Sequence, residues 1–445
     1  MDIEKVKRYS LIEVSLLGIF MAGLLIAHLI VKHRSTVVLS SGISLPGSGL
    51  SVSMPEGPGW DRTNTWQYEE AESSMMLISQ YGTPGGSGMA VRCRYVFSTP
   101  DGTERELLEQ KAARINAVIQ DVYRIGPESS MVYARMLLSS APREEVYLGI
   151  MRLESNRSVE LLVRSYGLGG FHGENVFKTV AKSIQYRPGQ ELADGRILIE
   201  EFLSTQSGGG SPRLDPEEAF LIKDAAGKNL GYYHALHSLP NDPQQIRSTQ
   251  IQQFEYNFQK LKSQLWVNPL DRNYRWKTDV RNFRTQGTQA YEISPDENGE
   301  LGVTHNAKEV RTFPAGQFFL PEPLLIQLAY VFLQSDRSGV IVDVLNAKGQ
   351  LVPVYLTKIQ PARAKAKSDS AESVVRMDFL YHPDSYEELL FDGSQNILGK
   401  FEQQPGRRPR IGTLFRPKRC SRSFRKIFRR PATRLSATSD SSKKF

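Results

Sequence analysis

The sequence predicts an α+β protein with one N-terminal transmembrane helix, an α/β/α sandwich with an antiparallel sheet, and a curved antiparallel β-meander around one apolar helix. Three observations predict this fold class: an apolar stretch from Val14 to Val31, mixed helix and strand patterns up to residue 203, and repeated hairpin patterns beyond residue 215. The predicted organisation is a short tail (1–10), the anchor (11–31), a spacer (32–47), the sandwich (48–203), a Gly/Ser linker (204–214), the meander (215–402) with its helix at 321–334, and a basic, disordered tail (403–445).

The apolar stretch contains only two polar side chains, Ser15 and His28. At about 1.5 Å of rise per residue, such a helix just crosses a hydrocarbon core of about 30 Å. Three Lys/Arg residues precede the stretch and two follow it, which predicts that the bulk of the chain is periplasmic or extracellular. The residues expected to span the membrane are Val14, Leu17, Phe20, Leu24, Ile26 and Val31.

Two alternatives to an uncleaved anchor stay open. A secretory signal peptide has a shorter apolar region, about 7–15 residues, and a small-residue cleavage site, whereas this stretch runs into Lys32-His33-Arg34. The segment Tyr9–Val14 resembles the start of type IV prepilins, which implies a pilin-like assembly component. Arg8 stands where that family has its obligatory Gly, so the leader peptidase is not expected to cleave here.

The basic residues are concentrated at the C-terminus. The formal net charge is +8, but residues 407–445 alone carry fourteen Lys/Arg and one acidic residue. The remainder of the chain is therefore mildly acidic. Cys93 and Cys420 are the two cysteines, which is too few for a disulfide framework or a cysteine metal site.

The segment from 48 to 203 contains a strand at Leu50–Pro55, a hairpin at 146–166 and a last helix at about 175–184. Thr103 and Glu106 form a capping box, and apolar residues then recur at helical spacing as far as Val122. These features, with Trp60 after the first strand, resemble the PsbP/DcrB-like fold. The resemblance implies binding and assembly roles near membranes and carries over no catalytic residue.

The segment from 215 to 402 is predicted to be a β-meander. Asn298-Gly299, Lys348-Gly349 and Asp392-Gly393 lie between strand-like runs, as in hairpins. Pro323–Leu333 is apolar on all sides except Gln327 and is too short to span a bilayer. A curved sheet around one apolar helix resembles the half-barrel of LolA/LolB-type lipoprotein carriers. That resemblance implies a cavity for acyl chains or peptides, and a helix that simply fills the core is the alternative.

No catalytic, cofactor-binding or metal-ligating residue is predicted. His234 and His237 lie three residues apart in a strand-like run, which places the rings on opposite faces. The glycine-rich run from Tyr166 to Gly173 departs from the dinucleotide-binding spacing by one residue and is interpreted as a turn. The run Arg196–Phe202 is predicted to be a strand.

The basic tail has two interpretations, a disordered polycation or an interfacial helix on anionic lipid. In the second case the surface-binding residues are Arg422, Phe424, Arg425, Lys426, Phe428 and Arg429. Nucleic acid is disfavoured as a partner because no nucleic-acid-reading fold is present. The sequence thus predicts a membrane-anchored, non-enzymatic protein that acts in binding or envelope assembly, with the lipid bilayer and another envelope protein as partners. The alternative function is a carrier of apolar ligands.

Overall fold

The fold of the chain was examined in a computed structural model. The structure describes residues 15–26, 37–69, 73–82, 88–97, 99, 102–126, 131–139, 141–154, 157–166, 173–207, 217–224, 228–238, 246–254, 259–268, 273–297, 299–313, 319–365, 370–380, 385–403 and 410–414.

Five α-helices and two short 3₁₀-helices are present in these ranges. The α-helices are α1 (residues 15–26), α2 (Glu104–Arg114), α3 (Gly173–Ser183), α4 (Gln190–Ser207) and α5 (Leu325–Gln334). The 3₁₀-helices are Glu322–Leu324 and Pro361–Arg363.

The strands before α4 belong to the part of the chain that we call the first unit, residues 37–207. They are β1 (Val38–Leu39), β2 (Ile43–Ser44), β3 (Leu50–Val52), β4 (Pro55–Glu56), β5 (Trp60–Arg62), β6 (Gln67–Glu69), β7 (Ser74–Tyr81), β8 (Gly88–Val96), β9 (Ala117–Ile125), β10 (Met131–Leu138), β11 (Ala141–Glu154), β12 (Arg157–Tyr166) and β13 (Gln185–Tyr186).

The strands after α4 belong to the second unit, residues 217–414. They are β14 (Glu217–Asp224), β15 (Asn229–Ser238), β16 (Ile246–Phe254), β17 (Gln259–Asn268), β18 (Asn273–Asn282), β19 (Thr288–Pro295), β20 (Leu301–His305), β21 (Lys308–Phe313), β22 (Leu320–Pro321), β23 (Gly339–Leu345), β24 (Leu351–Ile359), β25 (Ser373–Phe379), β26 (Tyr386–Phe391), β27 (Ile397–Gln403) and β28 (Arg410–Leu414).

The main sheet of the first unit is antiparallel and carries helices on both faces. Its strand order is β5-β7-β8-β12-β11-β10-β9, and β6 pairs with β7. On one face, Leu107 and Leu108 of α2 pack in a cluster with apolar residues of β10 and β11. On the other face, the ring of Phe177 in α3 lies 4.8 Å from the ring of Tyr133. Smaller sheets, β1-β4 and β13-β3-β2, complete this unit.

The second unit is one large sheet that curls on itself. Its order runs from β21 back to β14, then through β28 to β22, and every pair is antiparallel except β22 with β23. A Cβ atom on Gly349, in the turn between β23 and β24, would lie 2.5 Å from a side-chain carbon of Val303 on β20. Strands close to opposite ends of the sheet therefore approach each other, and the sheet forms a curled half-barrel.

The two units share one hydrophobic core, which contains buried residues from both. The guanidinium of Arg157 in β12 forms a buried ion pair with Asp343 in β23. The hydroxyl of Tyr68 donates to the carbonyl of Leu351 at 3.0 Å. Helix α4 packs against β23 so closely that a Cβ on Gly195 would lie 1.8 Å from the carbonyl oxygen of Ile341. The first unit therefore rests on one end of the curled sheet.

The predicted fold class, α+β with an N-terminal transmembrane helix, is wrong. The chain is predominantly β. Within the described residues, no helix combines the length and apolar character needed to cross a bilayer.

Several individual elements also differ from the predictions. Arg196–Phe202 is not a strand but lies inside α4, and that helix continues into the first four residues of the predicted linker. Helix α2 ends at Arg114, well before Val122, which lies in β9. Residues 410–414 of the predicted disordered tail form strand β28.

Candidate functional site

The inner face of the curled sheet is here called the concave face, and it is defined by the side chains that share the large core with α5. Alternation along each strand turns every second residue to this face. It carries apolar residues from both halves of the sheet, namely Leu265, Val267, Trp276, Ile293, Val303, Val375, Met377, Leu389 and Phe391.

The core around the body of α5 is filled. Leu328, Ala329 and Phe332 are fully buried, and the one polar residue of the helix, Gln327, is 2% exposed. The apolar helix predicted at 321–334 is thus present as Glu322–Leu324 followed by α5. Exposed residues lie at both ends of this segment, Gln334 at its C-terminal end and Glu322 at its N-terminal end.

Four charged side chains converge at that N-terminal end. Glu322 occupies the 3₁₀ turn before α5, and Glu387, Lys400 and Glu402 come from neighbouring strands β26 and β27. Glu387 stands opposite Glu402, and Lys400 stands opposite Leu389, so the register turns all three toward the concave face. The Nζ of Lys400 lies 2.8 Å from Oε2 of Glu387. We call these four residues the luminal cluster.

The electrostatics of the luminal cluster are dominated by Glu322. Burial and the negative charge of Glu387 raise the pKa of its carboxyl to about 7, although Lys400 and the backbone N–H of Ala347 favour the ionised form. The residue is nevertheless exposed to solvent. Protein surrounds this carboxyl closely enough to penalise its charge while leaving its surface open. The carboxyl therefore has a pKa raised by its surroundings at a residue that solvent can reach.

Lys400 remains a cation in this environment. Burial opposes its charge, but Glu387 and Glu402 outweigh burial and raise the pKa of its ammonium. The luminal cluster thus brings three carboxyl groups and one ammonium together. When all four groups are ionised the cluster is negatively charged, which favours a positively charged guest.

Small polar groups continue the concave face away from α5. The indole N–H of Trp276 donates to the hydroxyl of Ser263, and the hydroxyl of Thr278 lies 3.3 Å from the same oxygen. The hydroxyl of Ser248 is buried and has no hydrogen-bond partner among the described residues. These polar groups are therefore buried together with the apolar residues of the concave face.

The residues that the sequence singled out do not meet at this site. Leu17, Phe20, Leu24 and Ile26 lie on α1 and are exposed, whereas Val14 and Val31 fall outside the described residues. The six predicted tail residues, Arg422, Phe424, Arg425, Lys426, Phe428 and Arg429, also lie outside them. His234 and His237 share strand β15, as predicted. In the parts of the chain described by the structure, no three His, Cys, Asp or Glu side chains are grouped as metal ligands.

The luminal cluster was missed by sequence reasoning, although one local signal pointed to it. In β26, Glu387 precedes Leu389 and Phe391 at a spacing of two, so a carboxylate occupies the apolar face of a strand. In β27, Lys400 and Glu402 alternate with buried residues, so the pattern assigns them to a polar face. Polar residues at positions that the pattern assigns to a core indicate a site.

Comparisons with known proteins assign no family to the chain. No protein-family model matches it, and no curated protein sequence gives a significant match. Among solved structures, it is similar to a β-barrel-like protein of the domain of unknown function DUF1849 from Brucella abortus. That similarity covers 45% of this chain and 95% of the other, at 7% sequence identity and a TM-score of 0.32. The PsbP/DcrB-like and LolA/LolB-type resemblances are not confirmed.

Proposed function

We propose that this protein is a non-enzymatic binding protein whose concave face holds an amphipathic ligand with a cationic group. The observation that carries the proposal is the meeting of Glu322, an exposed residue at the end of an apolar helix, with Lys400 and two further carboxyl groups. Binding would open the packing between α5 and the concave face to admit the apolar part of the ligand, and its amine or guanidinium would lie against the luminal cluster. An aminolipid and a peptide with a basic side chain share this chemistry. The predicted alternative of an apolar-ligand carrier is closest to this proposal.

The cationic preference follows from the charge balance of the luminal cluster. Lys400 is paired with Glu387, and Glu322 and Glu402 add two further carboxyl groups close to that pair. A bound cation favours the ionised form of Glu322 and lowers its pKa. Binding then releases a proton from Glu322, so affinity is expected to increase as the pH rises through about 7.

The test compares two probes of equal chain length and opposite charge. Binding of dodecylamine and dodecanoate, each below its critical micelle concentration, is measured by isothermal titration calorimetry on the full chain at pH 8. The amine is expected to bind and the carboxylate to bind far more weakly. Since a hydrogen bond to a charged group contributes about 1.5–3 kcal/mol, Glu322→Gln should weaken amine binding by roughly ten- to a hundredfold.

The matched control is Glu292→Gln. Glu292 is exposed on β19, and its neighbours Tyr291 and Ile293 occupy the other face of the sheet, so this variant removes the same charge from the outer face. It should leave amine binding unchanged. Equal affinity for both probes, or an equal response of both variants, would contradict the proposal.

The proposed partners and location of the protein have their support in the sequence. Contact between the basic tail and anionic lipid, association with another envelope protein, and a periplasmic or extracellular location derive from the sequence alone. A role in envelope assembly is compatible with ligand binding at the concave face. Protease accessibility of a C-terminal tag in intact cells tests the predicted location, and a protected tag would contradict it.

A further inference from the structure

A cavity lies in the first unit, between α2 and the main sheet. It has a volume of about 180 Å³, well below the roughly 300–1,000 Å³ of pockets for drug-sized ligands. Its size therefore suits one small group. We call it the basic cleft, and it is lined by Arg92, Arg94, Lys111, Arg114, Ile115, Leu148, Glu160 and Leu162.

The basic cleft has more cations than its carboxylates can pair. Oε1 of Glu160 lies 2.7 Å from Nζ of Lys111, and its Oε2 lies 3.9 Å from Nη1 of Arg94. Arg94 is further held by Glu69, with Nη2 donating to Oε1 at 3.0 Å. Glu160 and Glu69 thus form ion pairs with Lys111 and Arg94. Arg92 and Arg114 add two positive charges at the same cavity.

Arg92 forms no ion pair among the described residues. It lies on β8 between Ile78 of β7 and Leu162 of β12, so its cross-strand neighbours are both apolar. Its Nε is buried, and among the described residues it has no hydrogen-bond partner. A buried donor without a partner costs free energy that an incoming acceptor recovers.

Lys111 and Arg114 also have a structural role. Both lie in the last turn of α2, where cations complement the negative end of the helix dipole. Their presence alone would therefore not identify a site. Arg92 is on a strand in the floor of the cavity and has no such role, so the inference depends on it.

From this geometry we propose that the basic cleft binds a single phosphoryl group, with Arg92 as its principal donor. The planar guanidinium presents parallel N–H groups that match two phosphate oxygens. The apolar side chains of Ile115, Leu148 and Leu162 allow a hydrocarbon substituent beside the phosphate. Free phosphate and the headgroup of phosphatidic acid share this chemistry. This site is separate from the luminal cluster and does not depend on the function proposed for it.

The experiment measures binding of inorganic phosphate by calorimetry, and flotation of the full chain with phosphatidic acid vesicles against phosphatidylcholine vesicles. Loss of a charge-assisted hydrogen bond predicts that Arg92→Gln weakens phosphate or vesicle binding about tenfold or more. Arg92→Lys keeps the charge and should recover only part of the affinity. Arg105→Gln is the matched control, because Arg105 lies on the exposed side of α2 with Glu109.

A variant with the opposite expected sign protects the test against loss of folding. Glu160→Gln removes the carboxylate that holds Lys111 and approaches Arg94, so phosphate affinity should increase. Phosphate binding alone identifies a free oxyanion, and binding to phosphatidic acid alone identifies a lipid headgroup; both support the site. Binding that is absent for both probes, or that responds equally to Arg92→Gln and Arg105→Gln, would overturn it.

Discussion

The buried ion pair between Arg157 and Asp343 joins the two units, and its removal gives the most specific stability prediction. The two side chains are 2% and 4% exposed. Arg157 also donates through Nη1 to the hydroxyl of Tyr95 at 2.9 Å, and its guanidinium lies 5.9 Å from the centre of the Tyr95 ring. The carboxylate of Asp343 compensates the buried charge of Arg157, and water cannot replace it there.

The perturbation is Asp343→Asn, which keeps the shape of the side chain and removes its charge. Breaking a buried pair by removing one partner costs about 3–5 kcal/mol, since the other charge is left buried without compensation. Both units should lose stability together, because Arg157 and Asp343 lie at their shared core. Urea unfolding of the full chain, followed by circular dichroism, measures the free energy of unfolding.

Two controls separate burial from charge. The pair between Arg337 and Glu201 also joins the units but is more exposed, at 20% and 46%. Glu201→Gln should therefore cost about 1 kcal/mol or less. The double variant Arg157→Met with Asp343→Leu should cost less than Asp343→Asn alone, because apolar replacement leaves no buried charge. A cost below about 1 kcal/mol for Asp343→Asn would refute the reasoning.

Three further predictions concern the shared core and two titratable groups. Leu328→Ala in α5 should cost about 2–5 kcal/mol in urea unfolding, whereas Val310→Ala, at an exposed position, should stay within about 0.5 kcal/mol; equal costs would argue against a filled core. Because the pKa of Glu322 is raised in the folded chain, its contribution to stability is fully present below its ordinary pKa and is lost as the pH rises through about 7. The free energy of unfolding of Glu322→Gln relative to the native chain should therefore increase across that interval. A constant difference from pH 5 to 8 would contradict this expectation. Burial raises the pKa of the Cys93 thiol to about 12, so in a Cys420→Ser variant a thiol reagent at pH 8 should label Cys93 only when urea unfolds the chain.

Local signals in the sequence predicted local structure well. The capping box is confirmed, with the backbone N–H of Thr103 donating to Glu106 at 2.7 Å and that of Glu106 donating to Thr103 at 3.3 Å. The turn at Lys348-Gly349 connects β23 and β24 as predicted, with Gly349 at a φ of +71°. These features depend on neighbouring residues only, so a pattern of a few residues is sufficient to find them.

The end of α2 was mispredicted because apolar spacing continued beyond the helix. Ile119 and Val122 fit the helical period but belong to β9. Asn116 takes a φ of +52°, a left-handed conformation that stops the helix before that strand begins. Asn is one of the few residues that adopt this conformation readily, so its position was the available signal.

The strand predicted at Arg196–Phe202 failed for a tertiary reason. A short apolar run fits a buried strand and a buried helix equally well. In the structure this run is the middle of α4, where Leu198 and Phe202 are fully buried and the helix packs on β23. Contacts with residues more than a hundred positions away decided its conformation.

The candidate site was beyond the reach of the sequence because it is non-local. Glu322 is separated from Glu387 by 65 positions, and only the curl of the sheet brings them together. Alternation in β26 marks Glu387 on an apolar face but does not show which element faces it. The strand register and the placement of the turn before α5 supply that information.

The most direct measurement of the central claim is a crystal structure of the full chain with 12-bromododecylamine, in which anomalous scattering locates the bromine. The proposal predicts a bromine peak on the concave face and the amine within hydrogen-bonding distance of Glu322 or Glu402. Bromine found only on the outer face of the sheet, or an amine that contacts none of the luminal carboxylates, would contradict it.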